Sequence, residues 1–328
     1  MILAGDIGGT KTNLAFISVE EGQLTVVTQE SFPSRNYPSL EAVIREFIRG
    51  TSVRDKRAAF GVAGPVIDDR CEATNLPWVI DAKLLEGSLG LERASVINDL
   101  EATAHGIPAL KPDELSVLNE GQPHVRGNIA LIAAGTGLGE AILLWDRQGY
   151  RALASEGGHA DLAPRNPMEI ELLQYLLKKF HRVSYERVLS GPGIFNIYSF
   201  LKDAGYGKEP EWLAERFQGK DPAPVIAEAA KQGECELCTK TLHLFVSLYG
   251  AEAGNLALKA LATGGVYIGG GIAPKILDQL RDGTFMVAFT DKGRLSPVLK
   301  DMPVQVILND KTALLGAARY AALHALSS

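Results

Sequence analysis

Residues 5–12 read GDIGGTKT (Gly5-Asp6-Ile7-Gly8-Gly9-Thr10-Lys11-Thr12), and the fold turns on how this stretch is understood. It is one residue away from a P-loop, G-x-x-x-x-G-K-[ST], because Thr10 stands where the second glycine belongs. A P-loop runs into a helix whose N-terminus supports the phosphates. Here the next segment, Leu14–Val19 (LAFISV), reads as a strand, and so does Ile2–Ile7 before it. The unit is therefore strand, glycine turn, strand. Glycines let the backbone turn tightly enough for several N–H groups to point at one anion. Thr10 and Thr12 add hydroxyls, Lys11 adds charge, and Asp6 could hold a magnesium ion through water. A plain hairpin turn competes with that reading, and this motif alone separates the two only slightly.

The same device recurs. Asn128–Ala134 (NIALIAA) is an apolar strand, GTGLG at 135–139 a glycine turn, and Glu140–Trp145 (EAILLW) another strand. Two such units, about 130 residues apart, predict an internal duplication of one α/β unit. The two turns could face each other across a cleft, unlike a Rossmann sheet, whose glycine turn opens a helix. A third run, GGGIAPK at 269–275, follows the short strand Gly265–Ile268 and suits close approach to a flat ligand such as adenine. Thr136 stands where a hydroxyl could reach a terminal phosphate. Each run alone is more often a turn than a site; together they favour nucleotide binding.

Around these turns the pattern predicts further elements. Leu24–Phe32 and Arg57–Val62 read as strands, the second stopped by Ala63-Gly64-Pro65. Ser39–Ile48 is a helix with an N-cap serine, Pro167–His181 a helix with an apolar stripe, and Thr239–Leu261 a long Ala/Leu-rich helix. Lys311–Leu326 is a closing helix with Asp310 as its candidate cap. Pro108 to Pro123, carrying three prolines and little periodicity, is the expected crossover between domains.

Composition excludes several classes. The 328 residues exceed the size at which one core usually stops growing, so two domains or a deep cleft are expected. Net charge is −6 and no Lys/Arg block could track a phosphate backbone, which argues against nucleic acid. Three cysteines form no disulfide framework. Cys235 and Cys238 make a C-x-x-C, but His243 alone does not complete a zinc site, so they read as helix-face thiols. No signal peptide or membrane span is expected: Asp6 breaks the first apolar run, and Glu252 and Lys259 interrupt the most apolar region. A soluble, cytoplasmic protein is expected.

Three polar clusters could carry chemistry. Asn98-Asp99 follows the short apolar strand ending Val96-Ile97, at the carboxyl end where clefts of α/β sheets open. Asp99 could accept a proton from an attacking hydroxyl in phosphoryl transfer; it reads equally well as a helix N-cap. Glu156-Gly157-Gly158-His159 suits recognition of vicinal hydroxyls, since its end groups accept and donate hydrogen bonds. A polar loop is the competing reading, and no histidine at ligand spacing supports a metal site. Asn75 and Trp78 in TNLPW, and Glu186 before LSGPG at 189–193, are polar turn-boundary residues that say little separately.

Taken in order, D-I-G-G-T at 6–10, I-N-D-L at 97–100, A-A-G-T-G-L-G at 133–139, E-G-G-H at 156–159, E-R-V-L-S-G-P-G at 186–193 and G-G-G-I-A-P at 269–274 resemble the bacterial glucokinases over nearly the whole chain. The resemblance implies an α/β fold, a duplicated ribonuclease-H-like unit of the actin/hexokinase type. Its small domain would be residues 1–109 plus 310–328, the last helix returning to it, and its large domain 110–309. It implies ATP-dependent phosphorylation of the glucose 6-hydroxyl, with Asp99 as the base. Asn98, Asp99, Glu156, His159 and Glu186 match the family's sugar ligands, with Asn75 added. Asp6, Ile7 and Gly8–Thr12 would cradle the phosphates, Asp6 holding Mg²⁺ through water. Gly135, Thr136 and Gly137 would sit near the γ-phosphate, and Gly269, Gly270 and Gly271 near adenosine. A homodimer is implied as well. Two features bear on the subgroup. The cysteine-rich zinc motif of the related repressor/kinase (ROK) proteins is missing after E-G-G-H, while the first loop is GGTKT, as in ROK proteins.

Related hexose or amino-sugar kinases share these features and stay open as alternatives. A sugar-sensing regulator would need a DNA-binding module before the core, and the chain begins on its first motif strand. An actin-like ATPase has no evident need for the Asn-Asp, E-G-G-H and Glu186 set.

Overall fold

β1 (Ile2–Ile7), buried along its length except at the half-buried Asp6, organises the first sheet in a computed structural model of the chain. It describes residues 1–20, 23–49, 57–73, 75–122, 124, 126–147 and 149–324. The chain divides into two units: Met1–Glu114 with Gly149–Ala154 and Asn309–Ser328, and Leu115–Gln148 with Ser155–Leu308.

In the first unit, β1 pairs antiparallel with β2 (Lys11–Glu20), Ile7 opposite Thr12 across the glycine turn. β2 pairs antiparallel with β3 (Gln23–Pro33), and β4 (Arg57–Val62) lies parallel to β1 on its other side. A small sheet of β5 (Val66–Ile67), β6 (Arg70–Glu72) and β7 (Val79–Asp81) follows, and β8 (Arg93–Asn98) completes the main sheet parallel to β4. Side chains alternate between its faces. Ile2, Ala4, Ala15 and Ile17 pack against Leu314, Ala317 and Ala318 of the closing helix, Thr312–Leu323. Leu3, Ile7, Leu14, Phe16 and Phe60 face the helices Leu40–Phe47 and Ala82–Leu89. The same period of two turns Asp6 to the side of the closing helix.

The second unit repeats the scheme. The second sheet is built from β9 (Leu115–Asn119), β10 (Ile129–Ala134), β11 (Leu138–Trp145), β12 (Tyr150–Ser155, all but Ser155 grouped with the first unit), β13 (Gly265–Gly269) and β14 (Val304–Ile307), in the order β12-β11-β10-β13-β14-β9. β10 runs antiparallel to β11 and parallel to β13, as β1 does to β2 and β4. The first sheet's order, β3-β2-β1-β4-β8, is thus reproduced as β12-β11-β10-β13-β14. This is the duplication that the two glycine turns predict, in the ribonuclease-H-like form that the resemblance implies. The fully buried Tyr249 hydroxyl, on the Glu236–Ala260 helix, accepts the Ala134 N–H (3.1 Å) and lies 3.4 Å from Gly269 O, tying together the ends of β10 and β13.

Several expectations shift. Asp310 does not cap the closing helix; Asn309 Oδ1 takes the Lys311 N–H (2.8 Å) and Asn309 O takes the Thr312 hydroxyl (2.7 Å). Residues 325 and 326 of that expected helix lie outside the described residues. Cys235 is not on a helix face: its Sγ accepts the Cys238 N–H (3.2 Å) and caps the long helix, which starts three residues earlier than Thr239. The Pro167 helix stops at Leu177 rather than His181. The 108–123 segment holds a strand, β9. No described helix is long and apolar enough to cross a membrane.

Candidate active site

In the first unit the β1–β2 turn is held from one side. Gly8 N donates to Lys11 O (3.0 Å), and Ser34 Oγ donates to Gly8 O (2.7 Å) while its N–H reaches Thr10 O (3.1 Å). The Thr12 hydroxyl is fully buried and bonded to Ser34 Oγ (3.0 Å), so it braces the hairpin from behind rather than facing outward. Ile7 is likewise core, and only its backbone is available to a ligand. Thr10 and Lys11 remain exposed. A β-carbon added at Gly9 would meet Asn75 Cβ at 2.5 Å, so glycine lets the exposed Asn75 lie against the turn. Trp78 is core instead, its Nε1 donating to Tyr37 O (3.1 Å).

Asp6 accepts from Asn13 Nδ2 (3.2 Å). Burial pushes its carboxyl above the usual range, the Asn13 bond works against that, and the nearby negative charge of Asp310 adds to the rise. Two carboxylates in one place, one of them desolvated, call for a cation.

Asn98 ends β8 and caps the Asp99–Gly106 helix, its Oδ1 accepting the Leu100 (2.9 Å) and Glu101 (3.4 Å) N–H groups. Its Nδ2 donates to Gly64 O (3.0 Å), so both ends of the amide are engaged. Capping therefore falls to Asn98, and Asp99 is the first helical residue. Asp99 Oδ1 also accepts the Leu100 N–H (2.9 Å). A carboxylate in a helix's first turn is favoured by the amide dipoles there. Gly61 on β4 lets that helix sit close: a β-carbon there would meet Ala102 Cβ at 2.7 Å, with Asp99 Cα at 3.7 Å.

In the second unit the β10–β11 turn leaves Thr136 exposed. Glu186 is seated on this turn: its Oε2 accepts the Leu138 N–H (3.1 Å), and a β-carbon at Gly137 would meet the same oxygen at 2.5 Å. The exposed His159 stands between two carboxylates, Nδ1 4.0 Å from Glu186 Oε1 and Nε2 3.9 Å from Glu156 Oε2. Ser190 Oγ donates to Glu186 O (2.7 Å) and caps the Gly191–Asp203 helix, and Gly191 N donates to Gly135 O (2.8 Å). Gly135, Gly137, Glu156, His159 and Glu186 thus form one assembly. At the end of β13, Gly270 (φ +82°) passes close to the Ala134 carbonyl, and Gly271 is exposed with nothing within 4 Å of a β-carbon position. That open glycine surface suits a flat ring.

Sequence reasoning misses the supports: Ser34 behind the first turn, Asp310 beside Asp6, and Glu140 beneath Gly157. None sits in a motif, and only proximity across strands marks them. It also offers Asp99 as the helix cap, a role the structure gives to Asn98.

The chain matches the family model described as Glucokinase over residues 3–324. A glucokinase of Nostoc punctiforme is 43% identical, over 98% of this chain and 99% of that protein. Among solved structures, a glucokinase from an Antarctic psychrotroph superposes with a TM-score of 0.86 at 33% identity, covering 98% of both chains. A ROK-family glucokinase from Streptomyces griseus, solved with glucose and AMPPNP, superposes with a TM-score of 0.66 at 22% identity over 98% of this chain and 99% of that one; it shares the fold.

Proposed function

The chain belongs to the glucokinase family, and we infer that it transfers the γ-phosphoryl group of ATP to the 6-hydroxyl of D-glucose. The observation that carries this is the Glu156–His159–Glu186 cluster, in which hydroxyl-binding groups rest directly on a phosphate-sized glycine turn. A sugar and a terminal phosphate need that adjacency. The relative solved with glucose and AMPPNP supports ATP as the donor.

In this reading Glu156, His159 and Glu186, with Asn75 and Asn98, bind the sugar hydroxyls. Asp99 accepts the 6-hydroxyl proton as that oxygen bonds to the γ-phosphorus, the bond to the β,γ-bridging oxygen breaks, and ADP leaves. Thr10, Lys11 and the N–H groups of Gly8 and Gly9 hold phosphate oxygens, and Thr136 with Gly135 and Gly137 meets the γ-phosphate. Thr12 serves from behind the turn. Gly269–Gly271 face adenosine. Asp6, desolvated and beside Asp310, fits a Mg²⁺ held through water; when bound, the ion would offset charge on the phosphates. A homodimer belongs to the reading too, and sedimentation of the purified chain checks it.

Because the sugar contacts are hydrogen bonds to charged groups, truncating one is costly. Glu186→Ala should raise the glucose KM by about 10- to 100-fold and leave the ATP KM within about threefold. Steady-state kinetics with each substrate varied in turn checks this. The wider test is ADP release with ATP, Mg²⁺ and a panel of hexoses. Turnover that needs no sugar would sink the kinase reading, and equal kcat/KM for an amino sugar would widen the substrate class.

A further inference from the structure

The first glycine of E-G-G-H has a neighbour that no motif contains. Gly157 lies on β11 so closely that a β-carbon there would run into Glu140 Oε2, and one at Gly158 would run into Leu138 O. The turn is closed by Gly157 N donating to Ser155 Oγ (2.9 Å), His159 N to Glu156 O (3.0 Å) and Ala160 N to Gly157 O (2.8 Å). Glu140 is therefore the floor under the Glu156–His159 turn, and its side chain is buried (1% exposed).

Across from Glu140 stands Glu252 of the long helix, fully buried and within hydrogen-bonding reach. Glu252 Oε2 accepts from Asn255 Nδ2 (2.8 Å), and Asn255 Nδ2 also reaches the Tyr185 hydroxyl (3.1 Å), on the residue before Glu186. Yet Glu140 Oε1 and Glu252 Oε1 have no hydrogen-bond donor. Two buried acceptors facing each other are satisfied when one carries a proton and donates it to the other. The cation nearby, Lys259, reaches Glu252 Oε1 only at 3.6 Å and is more than half exposed. Lys292 Nζ binds Asn255 Oδ1 (2.6 Å) instead. The other titratable groups packed here are Tyr249 and Tyr185, whose hydroxyls burial pushes up.

We propose that Glu140, sharing a proton with Glu252, is a positioning residue that holds the Glu156–His159 turn in its hexose-binding shape. This rests on Glu156 and His159 binding the sugar. Burial first, and the charge of Glu252 second, push the Glu140 carboxyl up to about 8. Below that pH the pair is one proton and one negative charge. Above it, two buried carboxylates repel beneath a glycine turn that has no side chain to resist them, and the turn loses its support.

The test is the glucose KM, ATP KM and kcat of the wild-type protein and Glu140→Gln from pH 6.5 to 9.5. Gln keeps the shape of the protonated form and cannot titrate. In the wild type the glucose KM rises about tenfold per pH unit above the transition, with the ATP KM changing little. In Glu140→Gln that rise is lost. An unchanged alkaline rise in Glu140→Gln, or equal changes in both KM values, overturns the proposal. Glu156→Ala at pH 7 separates the layers: if it leaves the glucose KM alone, the sugar-site reading itself fails, whereas a raised KM confines any failure to Glu140. Thermal unfolding gives a second readout should Glu140→Gln fold poorly. The folded state keeps the Glu140 proton that the unfolded chain releases near the ordinary value of 4.5, so this group's contribution falls as pH rises from there to about 8. A wild-type midpoint that does not fall across that window also overturns the proposal.

Discussion

Asp99→Asn should lower kcat by roughly 10²–10⁴ while the glucose KM stays within a few-fold of wild type. The substitution is nearly isosteric, and the structure explains why it isolates the proton-accepting role. Capping of the Asp99–Gly106 helix is done by Asn98, through Leu100 and Glu101, and would survive. The close packing of the helix on Gly61 involves Asp99 Cα, not its carboxylate. An amide oxygen can still accept the Leu100 N–H that Asp99 Oδ1 accepts now. What is lost is a group able to take the hydroxyl proton. Rapid-quench or steady-state kinetics at saturating ATP and glucose gives the number. Turnover near the wild-type level would remove Asp99 as the base and leave positioning and phosphate binding as the catalytic terms.

Much of this was legible from local pattern because the decisive signals are short-range. Gly8–Thr12 and GTGLG announce hairpins, since each glycine turn separates two apolar runs and neither leads into a helix. Their repetition predicts the duplicated sheet order that the structure displays. Ser39 is readable as a cap because serine accepts a backbone N–H there, and it does so from Ala42 (3.3 Å). Signals fail where the partner is remote or the residue has two uses. Cys235 caps a helix although thiols are uncommon in that role, so the helix start is read late. The β5–β7 sheet has strands of only two or three residues, too short for a period to register. Glu140 and Glu252 look like ordinary surface charges in their own segments. Their burial follows from the long helix packing onto the sheet that carries β11, which no window of sequence contains.

The closing helix carries the second large effect. It crosses the Asp99–Gly106 helix at small residues four apart on each side, Ala102 and Gly106 against Thr312 and Gly316. A β-carbon at Gly316 would overlap the Ala102 carbonyl, and one at Gly106 would overlap that of Thr312. Both obstacles are backbone, so no rotamer change can relieve them; one helix must move. Overpacking of this kind costs about 1–3 kcal/mol where side chains can yield, and Gly316→Val should fall at or beyond the upper end. The helix that moves begins with Asp99. A shift near 1 Å at a reacting group can cost about 10²-fold in rate, so the folded fraction of Gly316→Val should also show a kcat reduced by up to about that factor. Gly87→Ala is the matched control: it sits exposed inside the Ala82–Leu89 helix with nothing within 4 Å of the new methyl. That change should stabilise by about 0.5–1 kcal/mol and leave kcat alone. Denaturant unfolding with kinetics on both variants decides the matter. If Gly316→Val matched the wild type in stability and rate, the tight crossing would not be what positions the start of the Asp99 helix.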